Sequence, residues 1–280
     1  MTPSSPATLH RRVPRRRTAR GPGRRALLLA LAAAAPLPPG TARALGPDET
    51  LKVVRTVDER QRNAGDWKAL AYMEAKEKDK TDVVYELVVY RRDKDERLMF
   101  LFLEPKSEQG KGYLRIDKNL WFYDPSVGRW ERRTERERIG GTDTRRGDLD
   151  ESRLAEEYVA TWEADEKLGA FQVHRISLEA RPGVDVAFPR LKLWVDQATG
   201  NVLKRQEFAL SGRLMRTSYY PRWKKVWSES KKGDVWYAEE MRFYDEIEKA
   251  NQTLVLIKSI DLRTLDANLF TKAWLESKSR

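Results

Sequence analysis

Most nucleophilic and metal chemistry in proteins runs through histidine and cysteine, and this chain has two histidines and no cysteine. His10 sits in a basic N-terminal arm. The other, His174, stands alone in Phe171-Gln172-Val173-His174-Arg175-Ile176. Zinc sites usually need several His or Cys ligands, so His174 reads as a satisfied sheet residue. A cysteine nucleophile is impossible, and no Gly-x-Ser-x-Gly elbow, phosphate loop or dinucleotide fingerprint occurs. The 43 acidic residues could supply a carboxylate pair, but the separation that matters is three-dimensional, and the sequence nominates none. The expectation is a protein that is not an enzyme and needs no metal or cofactor.

What the chain offers instead is apolar mass in short alternating segments. Leu98, Phe100 and Phe102 alternate with Met99, Leu101 and Leu103, and Val83, Tyr85, Leu87 and Val89 alternate with Val84, Val88 and Tyr90. A half-solvated sheet shows one polar face. These two strands show none, so a helix, another sheet or a hydrophobic ligand must cover both sides. The segment from Asn119 through Leu120-Trp121-Phe122-Tyr123-Asp124-Pro125 to Trp130 is the densest aromatic signature, and reads as a hairpin.

The elements that would position these residues are nearly all strands. Pro47-Asp48-Glu49 is helix-start chemistry, and Leu51, Val54 and Val57 fall at helical spacing, predicting a helix over 48–63. Thereafter β-branched and aromatic runs bounded by turn signals predict strands at 67–76, 81–92, 97–104, 111–117, 119–124, 129–135, 159–166, 170–180, 190–196, 201–210, 213–220, 234–247 and 252–262. Asp196 to Asn201 is the clearest hairpin turn. The polar stretch 136–150, with Gly140-Gly141 and Gly147, leads into a predicted helix at 149–158. Strands without βαβ alternation imply a mainly β fold, one meandering antiparallel sheet curled into a barrel or half-barrel.

Residues 1–44 carry nine arginines and no acid, then an apolar run Ala26 to Ala35, a breaker Pro36-Leu37-Pro38-Pro39-Gly40, and Ala42-Arg43-Ala44. That is the order of a secretory signal peptide, and its apolar run is far shorter than the ~20 residues needed to span a bilayer. Cleavage is expected after Ala44, leaving one domain over 45–280. Ordinary Sec-type export is preferred to the twin-arginine route, because arginine pairs are common in basic leaders. Of the net charge of +11, the leader holds +9 and the remainder +2, so no nucleic-acid footprint is expected. No later run of about 18 apolar residues predicts a membrane span.

Five segments in order resemble the LolA-like outer-membrane lipoprotein-sorting family. They are Gly110-Lys111-Gly112-Tyr113-Leu114-Arg115-Ile116 with Asn119 to Pro125; Ile139-Gly140-Gly141-Thr142-Asp143 before the acidic Asp148-Leu149-Asp150-Glu151; Leu191-Lys192-Leu193-Trp194-Val195-Asp196 with Thr199-Gly200; Ile260-Asp261-Leu262; and Asp266-Ala267-Asn268-Leu269-Phe270. Thr144-Arg145-Arg146-Gly147 departs from the family's aromatic residue after the loop aspartate, and 221–233 is longer than in its smallest members. This marks a divergent branch.

The resemblance implies an open, strongly curved half-barrel of the LolA/LolB type with an N-terminal helix and a short helical lid. It implies a periplasmic carrier for acyl chains of lipoproteins or lipids, served by an inner-membrane exporter and an outer-membrane acceptor. Leu98, Phe100, Phe102, Tyr113, Trp121 and Tyr123 are the acyl-groove candidates, with 139–150 and helix 149–158 as the lid. In that family an arginine beside the hollow tethers the lid; no motif places it in this sequence. The alternatives are an envelope sensor on the same fold, or a polyanion- or polysaccharide-binding surface at Trp223, Lys224, Lys225, Trp227, Lys231 and Lys232.

Overall fold

A computed structural model describes residues 44–62, 65–116, 119–134, 138–149 and 152–279; the leader, apart from Ala44, lies outside the described residues. The chain opens on helix α1 (Pro47–Arg62), followed by strands β1 (Asp66–Lys76), β2 (Val83–Arg92), β3 (Arg97–Glu104), β4 (Gly112–Ile116), β5 (Asn119–Asp124) and β6 (Arg129–Arg133). Two short helices, α2 (Arg146–Leu149) and α3 (Leu154–Glu157), come next. Strands β7 (Tyr158–Leu168), β8 (Phe171–Ala180), β9 (Arg190–Asp196), β10 (Val202–Phe208), β11 (Leu214–Ser228), β12 (Gly233–Asp245) and β13 (Gln252–Asp261) then lead to a terminal helix α4 (Lys272–Lys278).

All strands join one 13-stranded antiparallel sheet in the order β6-β5-β4-β3-β2-β1-β13-β12-β11-β10-β9-β8-β7. The first and last strands pair in the middle, with Tyr72 opposite Leu256, and β6 and β7 are left as free edges. The sheet is therefore open, not a closed barrel. Between the two edge strands, the described residues 138–149 and 152–157, called the crossing segment, touch Tyr85 of β2, Thr253 of β13 and Arg216 of β11. One face of the sheet is thus concave around that segment.

Local chemistry explains α1. Pro47 stands in the first turn, where its missing N–H is no loss. Gly46 donates its N–H to Glu49 Oε2 at 2.9 Å, and the Thr50 hydroxyl donates to the Gly46 carbonyl. Val54 and Val57 are buried against the concave face, and Arg60 donates to the Thr199 carbonyl at 3.0 Å in the β9–β10 turn.

The two doubly apolar strands receive two covers. Leu87, Val89, Leu98, Phe100 and Phe102 enter the main core inside the curve. Val88, Tyr90, Met99 and Leu114 form a second cluster outside it, sealed by Phe270 and Leu275 of the C-terminal segment. The Thr271 hydroxyl caps α4 by accepting the Trp274 N–H.

Two expectations are corrected. The helix predicted at 149–158 is two short helices, and Tyr158 already begins β7. The strand predicted to stop at 220 runs on to Ser228, and Pro221 sits where the β11–β12 register slips between Tyr219 and Arg222. A bulge is where a strand tolerates proline.

Candidate functional site

Antiparallel pairing stacks the aromatic strands across the concave face. Phe100 lies opposite Tyr113, and Tyr113 opposite Phe122. Leu98, Phe100, Phe102 and Tyr113 are all buried there, Phe100 completely. Tyr113 and Phe122 ring centroids lie 4.9 Å apart, and Tyr85 meets Phe102 edge-on at 5.7 Å. Alternation sends Trp121 and Tyr123 to the outer face. There Tyr123 packs on Trp130 at 5.0 Å, and the Lys272 ammonium of α4 lies 3.8 Å from the Trp121 ring centroid. Of the six candidates, four share the hollow and two lie under α4; Phe122 takes their place inside.

The cover is built from α1 and the crossing segment. Val54, Val57, Ile139, Leu149 and Leu154 all belong to the same core as the sheet's inner face, so the cover's own side chains occupy the hollow. Gly140 and Gly141 adopt positive φ. The Gly140 carbonyl accepts the Tyr85 hydroxyl at 2.9 Å, and a Cβ on Gly140 would stand 3.2 Å from the Phe102 ring. Gly140→Ala should therefore lower stability by about 1–2 kcal/mol through the left-handed backbone alone, read in urea unfolding; an unchanged midpoint would show that this backbone is not held.

What holds the cover down is mostly polar and buried. Arg216 of β11 donates from Nη1 to Asp148 Oδ2 at 2.6 Å and from Nη2 to Asp148 Oδ1 at 2.8 Å, a fork on the crossing segment. The same guanidinium bonds Glu207 of β10, its cross-strand neighbour, and the Asp143 carbonyl at 2.8 Å. Arg205 reaches Glu207 at 2.6 Å. On the α1 side, Asp58 accepts from the Ser152 hydroxyl, from the Leu154 N–H at 2.9 Å and from the Ala155 N–H at 2.8 Å. It closes the open end of α3 as a capping side chain does.

Burial alone would push the Glu207 carboxyl up, but Arg205 and Arg216 beside it hold it below the ordinary range. Burial likewise opposes the Arg216 charge, and Asp148 and Glu207 outweigh it, raising its pKa well above normal. Asp143 moves the other way, raised by burial although Arg138 opposes it. A carboxylate depressed on folding stabilises fully above its unfolded pKa and loses that stabilisation as pH falls through the folded value. Glu207 should thus make the cover acid-labile below the ordinary carboxylate range. Circular dichroism melts should show this component in the wild type and not in Glu207→Gln.

Among the described residues, besides one of ≈ 10 Å³ at Val57, Leu154 and Tyr220, two cavities flank the cover. One, of ≈ 460 Å³, opens beside Gly140 and Gly141 and is lined by Phe102, Tyr113, Phe122 and Arg138. The other, of ≈ 70 Å³, lies beyond Leu149 among aromatic side chains. His174 bonds Asp165 at 2.6 Å in the sheet. Among the described residues, no group of three or more His, Cys, Asp or Glu could hold a metal ion. At the basic-aromatic segment, Lys225 pairs with Asp234 at 3.0 Å and Lys224 with Glu239, and Trp223 donates to the Val202 carbonyl at 3.0 Å. Trp227 is 59% exposed.

Residues 93–277 match the model of a family described as an uncharacterized protein. No curated protein sequence matches. Among solved structures, a LolA superfamily protein from Nitrosomonas europaea superposes with a TM-score of 0.66 at 20% identity, covering 80% of this chain and 98% of its own. A domain assigned to outer membrane lipoprotein sorting, from Vibrio parahaemolyticus, gives 0.71 at 19% identity, covering 82% and 100%. A DUF1329 family protein from Desulfovibrio piger gives 0.70 at 18% identity, covering 82% and 98%. At these identities the likeness establishes the fold, an open LolA-like sheet.

Proposed function

We propose a function from one premise: the chain belongs to the uncharacterized-protein family matched over residues 93–277, and its fold is LolA-like. The protein is a periplasmic carrier. It takes acyl chains of lipoproteins or lipids from an inner-membrane exporter, shields them inside the curved sheet, and releases them to an outer-membrane acceptor. Residues 1–44 direct export and 45–280 form the carrier domain. Among the described residues no helix is long and apolar enough to cross a membrane.

The observation that carries this reading is that the apolar hollow is closed by α1 and the crossing segment and not by the sheet itself. Arg216, Glu207 and Asp148 latch the segment on one side and Asp58 on the other. Between the latches, Val54, Val57, Ile139, Leu149 and Leu154 fill the space. Each buried aliphatic side chain is worth ~1.5–3 kcal/mol, so five give roughly 8–15 kcal/mol, while an acyl chain of about fifteen methylenes gains roughly 12 kcal/mol on burial. The two are of the same size. Exchanging cover side chains for cargo is close to balanced, as loading and release both require.

Carrying needs no nucleophile or metal; it needs a dry surface that can be uncovered. Leu98, Phe100, Phe102 and Tyr113 are the groove floor in this reading. Phe102 offers the test, because it lines the ≈ 460 Å³ cavity, through which a carboxylate at its position could reach water. Native mass spectrometry of Phe102→Asp purified from an envelope fraction should show loss of acyl-lipid adducts carried by the wild type, with strand-rich circular dichroism kept. Adducts retained in full would remove Phe102 from the groove, and a wild type without adducts would overturn the carrier.

A further inference from the structure

Of the buried indoles, one breaks the usual rule that a buried Trp N–H finds a partner. Trp194 donates to Glu166, and the less buried Trp130, Trp162 and Trp223 donate to Glu276, Asp165 and the Val202 carbonyl. Trp67, at the start of β1, is only 8% exposed, yet its Nε1 has no partner among the described residues. Its ring is held in place: the Arg91 guanidinium lies 5.9 Å above it and is itself anchored on Asp93 and the Gln61 carbonyl. An unsatisfied buried donor in a native fold calls for an explanation.

Trp67 lines the ≈ 70 Å³ cavity together with Trp223, Trp236, Met241, Ile257 and Arg60. Arg60 adds a second orphan. Its Nη2 is committed to the Thr199 carbonyl and its guanidinium lies 5.9 Å from the Trp236 ring, but its buried Nε has no partner among the described residues. Asp148, at the same cavity, is occupied by Arg216, so it does not compete for these donors. Two unpaired donors, one of them on a cation, thus belong to side chains that line an aromatic chamber with room for a few atoms. That chemistry suits a single oxygen acceptor joined to a hydrocarbon. A phosphate brings more charged oxygens than two donors can satisfy.

Resting on the carrier reading, we infer that this chamber is the head site for an acyl chain, where the Trp67 and Arg60 N–H groups bind a carboxylate or ester carbonyl oxygen while the tail replaces Leu149 and Val57 under the cover. The site fixes which end of the chain enters last and selects acyl compounds over plain hydrocarbon.

The test is equilibrium dialysis of the full chain against tritiated palmitate, methyl palmitate and hexadecane. Trp67→Phe keeps the ring and removes the donor; it should weaken palmitate and methyl palmitate about fivefold, in line with the loss of one hydrogen bond, and leave hexadecane unchanged. Arg60→Met separates the sources: a loss confined to palmitate assigns a free carboxylate, an equal loss for both assigns an ester. If Trp67→Phe binds all three probes like the wild type, or loses all three equally, the head site is wrong and the carrier stands. If the wild type binds none of them, the carrier reading falls and the head site with it.

Discussion

Arg216→Met should release the cover. Removing one partner of a buried ion pair typically costs 3–5 kcal/mol, because the remaining charge stays buried; without Arg216, Asp148 loses its fork while Glu207 keeps Arg205. The loss falls on the contact between the crossing segment and the sheet, so amide exchange over 139–149 and 152–157 should accelerate about 10²–10⁴-fold, at 1.36 kcal/mol per decade, while β1 to β3 slow-exchange cores persist. Arg216→Lys keeps a charge without the fork and should fall between. Exchange and urea midpoints indistinguishable from the wild type would mean that the fork holds nothing.

Asp58→Ala should open the same cover from the other side. One side chain accepts from a hydroxyl and two backbone N–H groups of the α3 turn, and each buried donor left unpaired costs about 1–3 kcal/mol. A loss of about 2–4 kcal/mol is expected, part of it recovered by Asp58→Asn, whose remaining carbonyl can still accept. The two variants are coupled through one segment. Combined, they should fall short of additivity by at least about 1 kcal/mol, whereas independent sites add within roughly 0.5 kcal/mol. Additive losses in the double mutant would show that Arg216 and Asp58 hold separate pieces.

The strands were legible because the signals that define them are local. Val83–Arg92 and Arg97–Glu104 alternate at period two, and Asp196 marks its turn by accepting from Thr199. The same alternation says that Phe100 and Met99 face opposite ways, but not which side is concave. Tyr113 and Phe122 could be paired only once the β4–β5 register was known, and that register places Trp121 and Tyr123 outside. The C-terminal helix that covers them follows a short proline-free stretch with no strong periodicity. Its burial depends on Phe270 and Leu275 meeting Met99 and Leu114, a contact between residues far apart in the chain.

The latch was illegible for a related reason. Glu207 and Arg216 are ordinary charges in strand patterns, and nothing in spacing marks them as buried; they meet because β10 and β11 pair there. Asp148 joins them across a chain separation of 68 residues. No motif pointed to Arg216, since an ion pair that spans the hollow leaves none in the sequence. The sequence marked this stretch only as a polar loop with Gly140-Gly141; the close approach of Gly140 to Phe102 shows only in the fold.

A carrier of this build must let cargo take the place of the cover's side chains. Hydrogen exchange of the full chain, with and without a saturating monoacylated lipopeptide, measures this directly. Exchange should rise in α1 and in the crossing segment up to Glu157 and stay slow in β1 to β4. Unchanged or uniformly slower exchange in those two elements, at full occupancy, would place the acyl chains elsewhere and contradict the account.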